Sequence, residues 1–461
     1  MKDILRHSSK DIHWDNNNPF QNDSLGRGKF ASLLTSIAEK YSDGFVMAIN
    51  GEWGTGKTVF INRWKDLLKT KGFKVTIFNA WENDYFGEPT LSLLSQFREF
   101  FYEDKSISDK AYAIWETIRN VPSSLLKGFA HKSVYKLIPE ESIQEIKDKY
   151  KENLRKDIDY QDSDITRYVS QRNEFLKFRE SLKALTSELA KDEKPLIFII
   201  DELDRCTPSF AVEVLEKVKH LFNIPNIVFC FAVDKQHLVK SIQGHYGSFN
   251  FNGEEYLRRF FDVELEIPSF DPYTFSQILT QHFEISNFIK SEEDQHEFHR
   301  LVAETAIKKN LNLRQIVKFF THLKLMYSLY TIDSSEWIVG FMVLLYKFSN
   351  KEFEEIKNRN LSLGDYAIKL KPFFDFSENG KGAPYMGRLL FHIDKYIASS
   401  TQGGICNDNT LFPGGIPLFT ESEIDTVYAC YKAEQQKHLH SSALFKLISK
   451  ILFLEQHIAK P

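Results

Sequence analysis

Four short runs of apolar residues punctuate the first half of the chain, and none of them alternates between apolar and polar positions. The runs lie at Phe45–Asn50, Phe73–Phe78, Leu196–Ile200 and Ile227–Val233. Continuous apolar runs rich in Val, Ile and Phe are typical of strands that a parallel sheet buries on both faces. The pattern therefore predicts four strands of one parallel sheet.

Helical periodicity follows these runs. Apolar positions spaced three or four residues apart cover Lys57–Lys69, Leu91–Tyr102, Ser209–Phe222 and Lys235–Ile242, and a further helical pattern begins at Ser24. Strands and helices thus alternate, which predicts an α/β fold with a parallel sheet flanked by helices. After Pro268 the pattern becomes mostly helical.

A strongly charged segment interrupts this alternation, because residues 131–194 carry 14 basic and 14 acidic side chains in 64 positions. Near its end, apolar residues recur at 3-4-3-4 spacing and place one narrow stripe on a solvated helix. The stripe comprises Phe175, Phe178, Leu182, Leu185 and Leu189. We interpret the segment as a protruding helical insertion, and favour packing of the stripe on its own domain over a seam for a partner.

Composition narrows the class of protein. The 461 residues are 42% hydrophobic and carry 59 Lys and Arg against 63 Asp and Glu, so no overall basic excess attracts nucleic acid or an anionic membrane. Four cysteines without a C-x-x-C pair indicate a reducing compartment rather than a disulfide scaffold. The N-terminus lacks the apolar core of a signal peptide, and the apolar run Trp337–Tyr346 is too short for a membrane span. We expect a cytoplasmic protein without a membrane span.

A phosphate-binding pattern, G-x-x-x-x-G-K-[ST], follows the first predicted strand. It consists of Gly51, Glu52, Trp53, Gly54, Thr55, Gly56, Lys57 and Thr58. Its glycines let backbone N–H groups surround an anion at the start of the next helix. Lys57 would reach the β- and γ-phosphates of a nucleotide, and the Thr58 hydroxyl would bind Mg²⁺.

The third apolar run ends in acidic residues, as the metal-binding strand of such a site requires. Asp201 at the tip of this strand would hold Mg²⁺, and Glu202 beside it would polarise the attacking water as general base. Asp204 is a candidate to support the water or the metal. For Arg205, an intramolecular ion pair is favoured over a contact with a neighbouring subunit.

The combined motifs resemble the KAP family of P-loop NTPases. The matching stretches are Asp23–Arg27, Gly51–Thr58, Phe78–Trp81, Ile200–Cys206, Val218–Phe222, Phe231–Asp234, Tyr256–Phe261 and Asn312–Arg314. The resemblance implies an ATP-hydrolysing P-loop NTPase core of the additional-strand, catalytic-Glu type, with ATP and Mg²⁺ as ligands. Because the insertion is charged and has no span, the chain resembles the soluble bacterial branch, some of whose members are linked to phage exclusion and defence.

The resemblance also suggests roles for further residues. Asp234 would sense the γ-phosphate, although a helix N-cap is an equally good interpretation. Arg258 and Arg259 include a candidate arginine finger, acting in cis or across an oligomer interface, or are simply solvated. Arg314 resembles the arginine that reaches the nucleotide from a helical lid. Trp81 is expected to pack rather than to contact a ligand.

The motifs and the resemblance together divide the chain into six segments. These are a flexible lead-in (1–22), the first half of the NTPase core (23–105), a charged helical insertion (106–194), the second half of the core (195–268), a helical lid (269–332) and a mostly helical C-terminal region (333–461).

Three functional hypotheses remain open from the sequence. The first is Mg²⁺-dependent ATP hydrolysis that drives or gates conformational change in a bacterial complex, with partner proteins or a homo-oligomer. The second is a slow nucleotide-controlled switch or scaffold, and the third is a DNA-dependent motor, which the balanced charge disfavours. The absence of a guanine-reading Asn-Lys-x-Asp motif favours ATP over GTP. Zinc sites at His296 and His299 or at His438 and His440 are disfavoured by their spacing.

Overall fold

The computed structural model of the chain divides mainly into two compact units. The sheet unit comprises Ile12–Asp23 and Arg27–Pro268. Most of the helical unit is formed by Ser269–Pro461. The structure describes residues 14–21, 23, 25–41, 44–103, 107–119, 162–190, 194–221, 223–247, 251–329, 336–359, 361–374, 382–398, 420–437 and 447–451. All structural statements below concern these residues.

The sheet unit contains a five-stranded parallel sheet. The strands are β1 (Phe45–Asn50), β2 (Val75–Asn79), β3 (Leu196–Asp201), β4 (Ile227–Val233) and β5 (Val263–Glu266). They lie in the order β2-β3-β4-β1-β5, and every neighbouring pair is parallel. The predicted α/β fold is confirmed, and the sheet has one edge strand, β5, that the apolar runs did not predict.

Helices cover both faces of this sheet. They are α1 (Gly28–Lys40), α2 (Lys57–Thr70), α3 (Ala80–Asp84), α4 (Pro89–Glu103), α5 (Asp109–Arg119), α6 (Asp162–Leu189), α7 (Pro208–Leu221), α8 (Lys235–His245) and α9 (Gly253–Leu257). Every residue of β3 and β4 is buried. Their side chains alternate between two hydrophobic clusters, one of which includes Phe198 and Phe229 and the other Ile197 and Val228. Burial on both faces explains why these strands are continuously apolar.

The apolar stripe of the charged segment packs inside the sheet unit. Phe178, Leu182 and Leu185 on α6 are buried in the same cluster as Trp115 and Phe198. The structure thus supports packing of the stripe on its own domain over a partner seam. Residues 120–161 of the predicted insertion and the Phe175 side chain lie outside the described part.

Part of the predicted flexible lead-in also packs on the sheet unit. The indole N–H of Trp14 donates to Asp66 Oδ2 at 2.8 Å, and the Phe20 ring lies 6.0 Å from that of Phe60. Asp66 and Phe60 both belong to α2. Trp14 and Phe20 therefore contact the helix that follows the phosphate-binding pattern.

The helical unit begins after Pro268. Its helices are α10 (Pro272–His282), α11 (Glu292–Lys308), α12 (Leu313–Leu329), α13 (Glu336–Phe348), α14 (Asn350–Asn358), α15 (Leu363–Leu370), α16 (Gly382–Ala398) and α17 (Glu421–Lys437). The apolar run from Trp337 forms the buried helix α13 at the centre of one hydrophobic cluster. Gly340 lets this helix approach α11, because a Cβ there would lie 2.5 Å from the Phe298 ring. Among the described helices, none combines the length and apolar character needed to cross a membrane.

Candidate functional site

The carboxyl ends of β1, β3 and β4 bring the predicted site residues to one edge of the sheet. In the strand register, Asn50 pairs with Val233 and Asp201 pairs with Ala232. The Gly51 N–H donates to the Val233 carbonyl at 3.1 Å. The phosphate-binding pattern, the acidic end of β3 and the residue after β4 therefore meet at one level.

Glycines give the loop between β1 and α2 its path. Gly54 and Gly56 have φ values of 85° and 83°, in the left-handed region that glycine adopts most readily. At Gly51 the requirement for glycine is steric, because a Cβ there would lie 2.5 Å from Ile267 Cγ2 and 2.9 Å from Thr55 Oγ1. Lys57 begins α2 directly after Gly56. The loop thus opens a helix whose N-terminal N–H groups favour an anion.

Lys57 lies inside this loop rather than in solvent. Its Nζ donates to the carbonyl oxygens of Gly51 and of Glu52, the latter at 3.2 Å. Burial lowers the pKa of Lys57, while the nearby carboxylates of Asp204 and Asp234 act in the opposite direction. The ammonium group is therefore held beside the loop where a phosphate would bind.

Thr58 and Asp201 lie side by side and could together offer oxygen ligands to a metal ion. The Thr58 hydroxyl donates to Asp201 Oδ2 at 2.8 Å, and Asp201 is buried. Burial raises the pKa of Asp201 to about 6, and the Thr58 hydrogen bond partly opposes this rise. A hydroxyl and a carboxylate oxygen fit the hard-donor preference of Mg²⁺.

Glu202 lies directly after this pair in a left-handed backbone conformation, with φ of 60°. Its N–H donates to Asp201 Oδ1 at 2.9 Å, and its carboxylate lies 2.8 Å from Arg205 Nη1. This is the intramolecular ion pair favoured from the sequence for Arg205. The Arg205 guanidinium also lies 5.9 Å from the ring centre of Trp81.

Trp81, which was expected to pack rather than to contact a ligand, lies at the surface. Its side chain is 54% exposed, and it extends from the short helix α3 at the end of β2. The described contact of this indole is with the partly exposed Arg205 guanidinium.

Trp53 joins two of the predicted acidic residues. Its indole N–H donates to Asp204 Oδ2, and its backbone N–H donates to Asp234 Oδ2 at 3.1 Å. Asp234 Oδ1 also accepts from the His237 N–H at 3.2 Å, so that Asp234 caps α8 and contacts the loop at once. The two interpretations offered for Asp234 are therefore compatible.

His237 is a site residue that sequence reasoning missed. Its ring stacks on the Trp53 indole with centroids 3.9 Å apart and an angle of 18° between the planes. His237 Nδ1 lies 3.0 Å from Asp234 Oδ2. The sequence contains one signal for this position, the spacing between Asp234 and His237. If Asp234 is the N-cap of a helix, then His237, three residues later, lies in the first turn of that helix.

Of the three predicted arginines, Arg258 and Arg259 belong to the sheet unit and Arg314 to the helical unit. Arg258 and Arg259 are exposed in the turn between α9 and β5, and the Arg259 carbonyl accepts a hydrogen bond from Lys219 Nζ. Asp262, just beyond them, pairs with Val46 at the start of β1, whereas the phosphate-binding loop follows its end. At about 3.3 Å per strand residue, the two ends of β1 are separated by roughly 16 Å. Arg314 is exposed on the first turn of α12 in the helical unit.

The disfavoured zinc sites gain no support. His299 is buried, its Nδ1 lies 2.9 Å from Ser276 Oγ, and burial lowers its pKa to about 4. His296 is exposed on the same helix. In the part of the chain that the structure describes, no group of three or more His, Cys, Asp or Glu side chains could hold a metal ion. His438 and His440 lie outside that part.

Comparison with known proteins gives one extensive match. A family model described as the KAP family P-loop domain matches residues 27–330, about two thirds of the chain. No curated protein matches the chain.

The solved structures that match the chain do so at low identity. Drosophila ORC bound to DNA is 11% identical with a TM-score of 0.36, and the alignment covers 95% of this chain and 89% of that one. AMPPCP-bound DnaA from Aquifex aeolicus is 12% identical with a TM-score of 0.30, covering 98% and 92%. The Aeropyrum pernix ORC1 protein in complex with DNA is 11% identical with a TM-score of 0.33, covering 96% and 89%.

Proposed function

The chain belongs to the KAP family of P-loop NTPases, and from this premise we propose that it binds ATP together with Mg²⁺ and hydrolyses the γ-phosphate bond. The observation that carries the proposal is the hydrogen bond of 2.8 Å between the Thr58 hydroxyl and Asp201 Oδ2, next to the buried Lys57. It brings a phosphate-binding loop and an acidic strand end together, as nucleotide hydrolysis requires.

The residues of the loop and of the neighbouring strand ends would bind different parts of the nucleotide and its Mg²⁺. The backbone N–H groups of Gly54, Gly56, Lys57 and Thr58 would surround the phosphates, and the Lys57 side chain would neutralise charge on the β- and γ-phosphates. Thr58 and Asp201 would hold Mg²⁺. When bound, this ion supplies positive charge against the phosphate oxygens. Asp234, through its contact with the Trp53 N–H, would couple the loop to the start of α8.

Glu202 is the proposed general base. Its carboxylate would take a proton from a water molecule whose oxygen forms a bond to the γ-phosphorus, while the bond to the bridging oxygen breaks and leaves ADP and phosphate. Asp204 is the weaker candidate, because it is buried and already accepts the Trp53 indole N–H. We assign Asp204 a supporting role in placing Trp53.

The arginines receive different proposals. Because Arg258 and Arg259 lie near the start of β1 rather than its end, we propose that either one acts as an arginine finger on the nucleotide of a neighbouring molecule, not on its own. Arg314, on α12, remains a proposed contact from the helical lid.

Two variants test the assignment. Lys57→Ala should abolish ATP binding, measured by isothermal titration calorimetry in the presence of Mg²⁺. Glu202→Gln should bind ATP within about threefold of the wild type but lower the rate of phosphate release by about 100-fold or more, the usual weight of a general base. Asp204→Asn is the matched control and should keep measurable turnover. Normal turnover by Glu202→Gln together with loss of turnover by Asp204→Asn would move the base to Asp204.

We further propose that this ATPase works in the cytoplasm, in a bacterial complex that includes antiphage defence among its roles. The family resemblance supports this role, and the buried free thiols of Cys206 and Cys230 suit a reducing compartment. Phage plating on cells that carry the wild type or Lys57→Ala tests it. Protection that requires Lys57 supports the role, and equal plating on both strains contradicts it.

A nucleotide-controlled switch with slow turnover is the second candidate. One observation favours it, because the carboxylate of the proposed base is engaged by Arg205. A low basal rate of phosphate release in the isolated protein would favour the switch, whereas a fast basal rate would exclude it.

A further inference from the structure

The proposed base is bound by a neighbouring cation. Glu202 Oε1 lies 2.8 Å from Arg205 Nη1, and the side chains of Glu202 and Arg205 are 13% and 32% exposed. An ion pair of this kind occupies one of the two carboxylate oxygens and fixes the orientation of the group, so Oε1 is turned to the guanidinium rather than to a water molecule while the pair persists. This pair therefore opposes the chemistry that Glu202 would perform.

The backbone keeps the two side chains close. Leu203–Arg205 forms a single 3-10 turn, in which the Arg205 N–H donates to the Glu202 carbonyl at 3.2 Å. Glu202 enters the turn in the left-handed conformation, which is uncommon for a residue other than glycine. The turn thus fixes the spacing of the pair independently of any ligand.

Helix α3 contacts Arg205 and the residues that follow it. Trp81 on α3 lies 5.9 Å from the Arg205 guanidinium, a separation suited to a cation–π contact. Asp84, from the same helix, accepts hydrogen bonds from the Thr207 hydroxyl at 2.7 Å and the Thr207 N–H at 2.8 Å. Since Thr207 follows the turn by two residues, α3 is tied to the segment that carries the ion pair.

We propose that Arg205 is a positioning residue that restrains Glu202 and so keeps basal ATP hydrolysis slow, with Trp81 holding the guanidinium in place. The inference rests on the proposed function, because it needs Glu202 to be the base. It adds a role for Arg205 and an explanation for the exposed Trp81. The restraint is reachable from solvent, since the outer face of Trp81 is not covered by the described residues.

The expected effect is modest and specific. Partly exposed ion pairs contribute up to about 1 kcal/mol, which corresponds to about a fivefold change in rate. Removing Arg205 should therefore raise kcat by about two- to fivefold. KM for ATP should stay unchanged, because neither Glu202 nor Arg205 belongs to the loop that would bind the phosphates.

Ionic strength gives a second readout that a purely structural role would not move. Salt screens a pair that is partly open to solvent. The turnover of the wild type should therefore rise relative to that of Arg205→Ala as salt increases from about 0.05 to 0.5 M, and the two rates should converge.

The experiment measures kcat, KM and salt dependence of the full chain for Arg205→Ala, Arg205→Lys, Trp81→Ala and Trp81→Phe. Arg205→Lys keeps the charge and should stay below Arg205→Ala in kcat. Trp81→Ala should move kcat in the direction of Arg205→Ala, and Trp81→Phe, which keeps an aromatic ring, should stay close to the wild type. If Arg205→Ala does not fold, the Trp81 pair decides the matter, with Trp81→Ala in place of Arg205→Ala in the salt series.

Two outcomes separate the inference from the function beneath it. If Glu202→Gln is inactive and Arg205→Ala turns over no faster than the wild type, the restraint is refuted while the general base stands. If Glu202→Gln keeps normal turnover, the assignment of the base fails and the restraint fails with it. Support requires a faster Arg205→Ala whose gain disappears in the Glu202→Gln background.

Discussion

A buried carboxylate in the helical unit makes stability depend on pH. Glu297 on α11 is 2% exposed, and Arg300 Nη1 lies 3.8 Å from its Oε2, beyond hydrogen-bond distance. Burial raises the pKa of Glu297 from 4.5 to about 7, and Arg300 only partly opposes this rise. The native state therefore holds this proton more tightly than the unfolded chain does.

The direction in which stability changes with pH follows from which state binds the proton more tightly. Between pH 4.5 and pH 7 the unfolded chain releases the Glu297 proton and the native protein keeps it, so the contribution to stability is present below pH 4.5 and disappears as pH rises through 7. At about 1.36 kcal/mol per pKa unit, the whole contribution is about 3 kcal/mol. From pH 5 to pH 8 the loss should be about 2.5 kcal/mol.

Glu297→Gln removes this titration. Calorimetric unfolding of wild type and variant at a series of pH values should show that the variant gains about 2.5 kcal/mol relative to the wild type between pH 5 and pH 8. Glu304→Gln, an exposed change on the same helix, is the control and should show no such trend. A difference between Glu297→Gln and wild type that stays constant with pH would refute the reasoning.

Two further substitutions, one in each unit, test a single contact each, and each is compared with a control substitution. Trp53→Phe should lower the free energy of unfolding by about 1–2 kcal/mol in urea titrations, because the buried Asp204 loses its indole donor. Trp81→Phe should cost less than about 0.5 kcal/mol, and equal losses would contradict the Trp53 hydrogen bond. Gly387→Ala should cost about 2 kcal/mol or more in thermal melts, since its Cβ would overlap a backbone carbonyl of α17. Gly244→Ala, with open space around it, should be neutral or stabilising, and similar melting of both variants would argue against the tight packing at Gly387.

The strands that the sequence predicts best are those buried on both faces. β1 and β4 begin and end at the predicted residues, because a continuous apolar run has a sharp boundary where polar residues resume. β5 was missed, since Val263–Glu266 is a short edge strand whose side chains are only partly buried. The pattern of such a strand does not differ from that of a polar loop.

In the site, local motifs were predictable and long-range contacts were not. The loop glycines and Asp201 follow from a strand and a turn within a few residues. The Trp53–Asp204 hydrogen bond joins positions 151 residues apart, and the stack of Trp53 on His237 depends on β1 and β4 being neighbours. The exposure of Trp81 likewise depends on the position of α3 at the edge of the sheet.

Single-turnover cleavage of ATP by Glu202→Gln tests the central claim most directly. With protein in excess over γ-labelled ATP and Mg²⁺ present, the wild type should convert bound ATP to ADP and phosphate. Glu202→Gln should hold ATP intact over at least a 100-fold longer time, as loss of a general base predicts. Cleavage by Glu202→Gln at the wild-type rate would contradict the account.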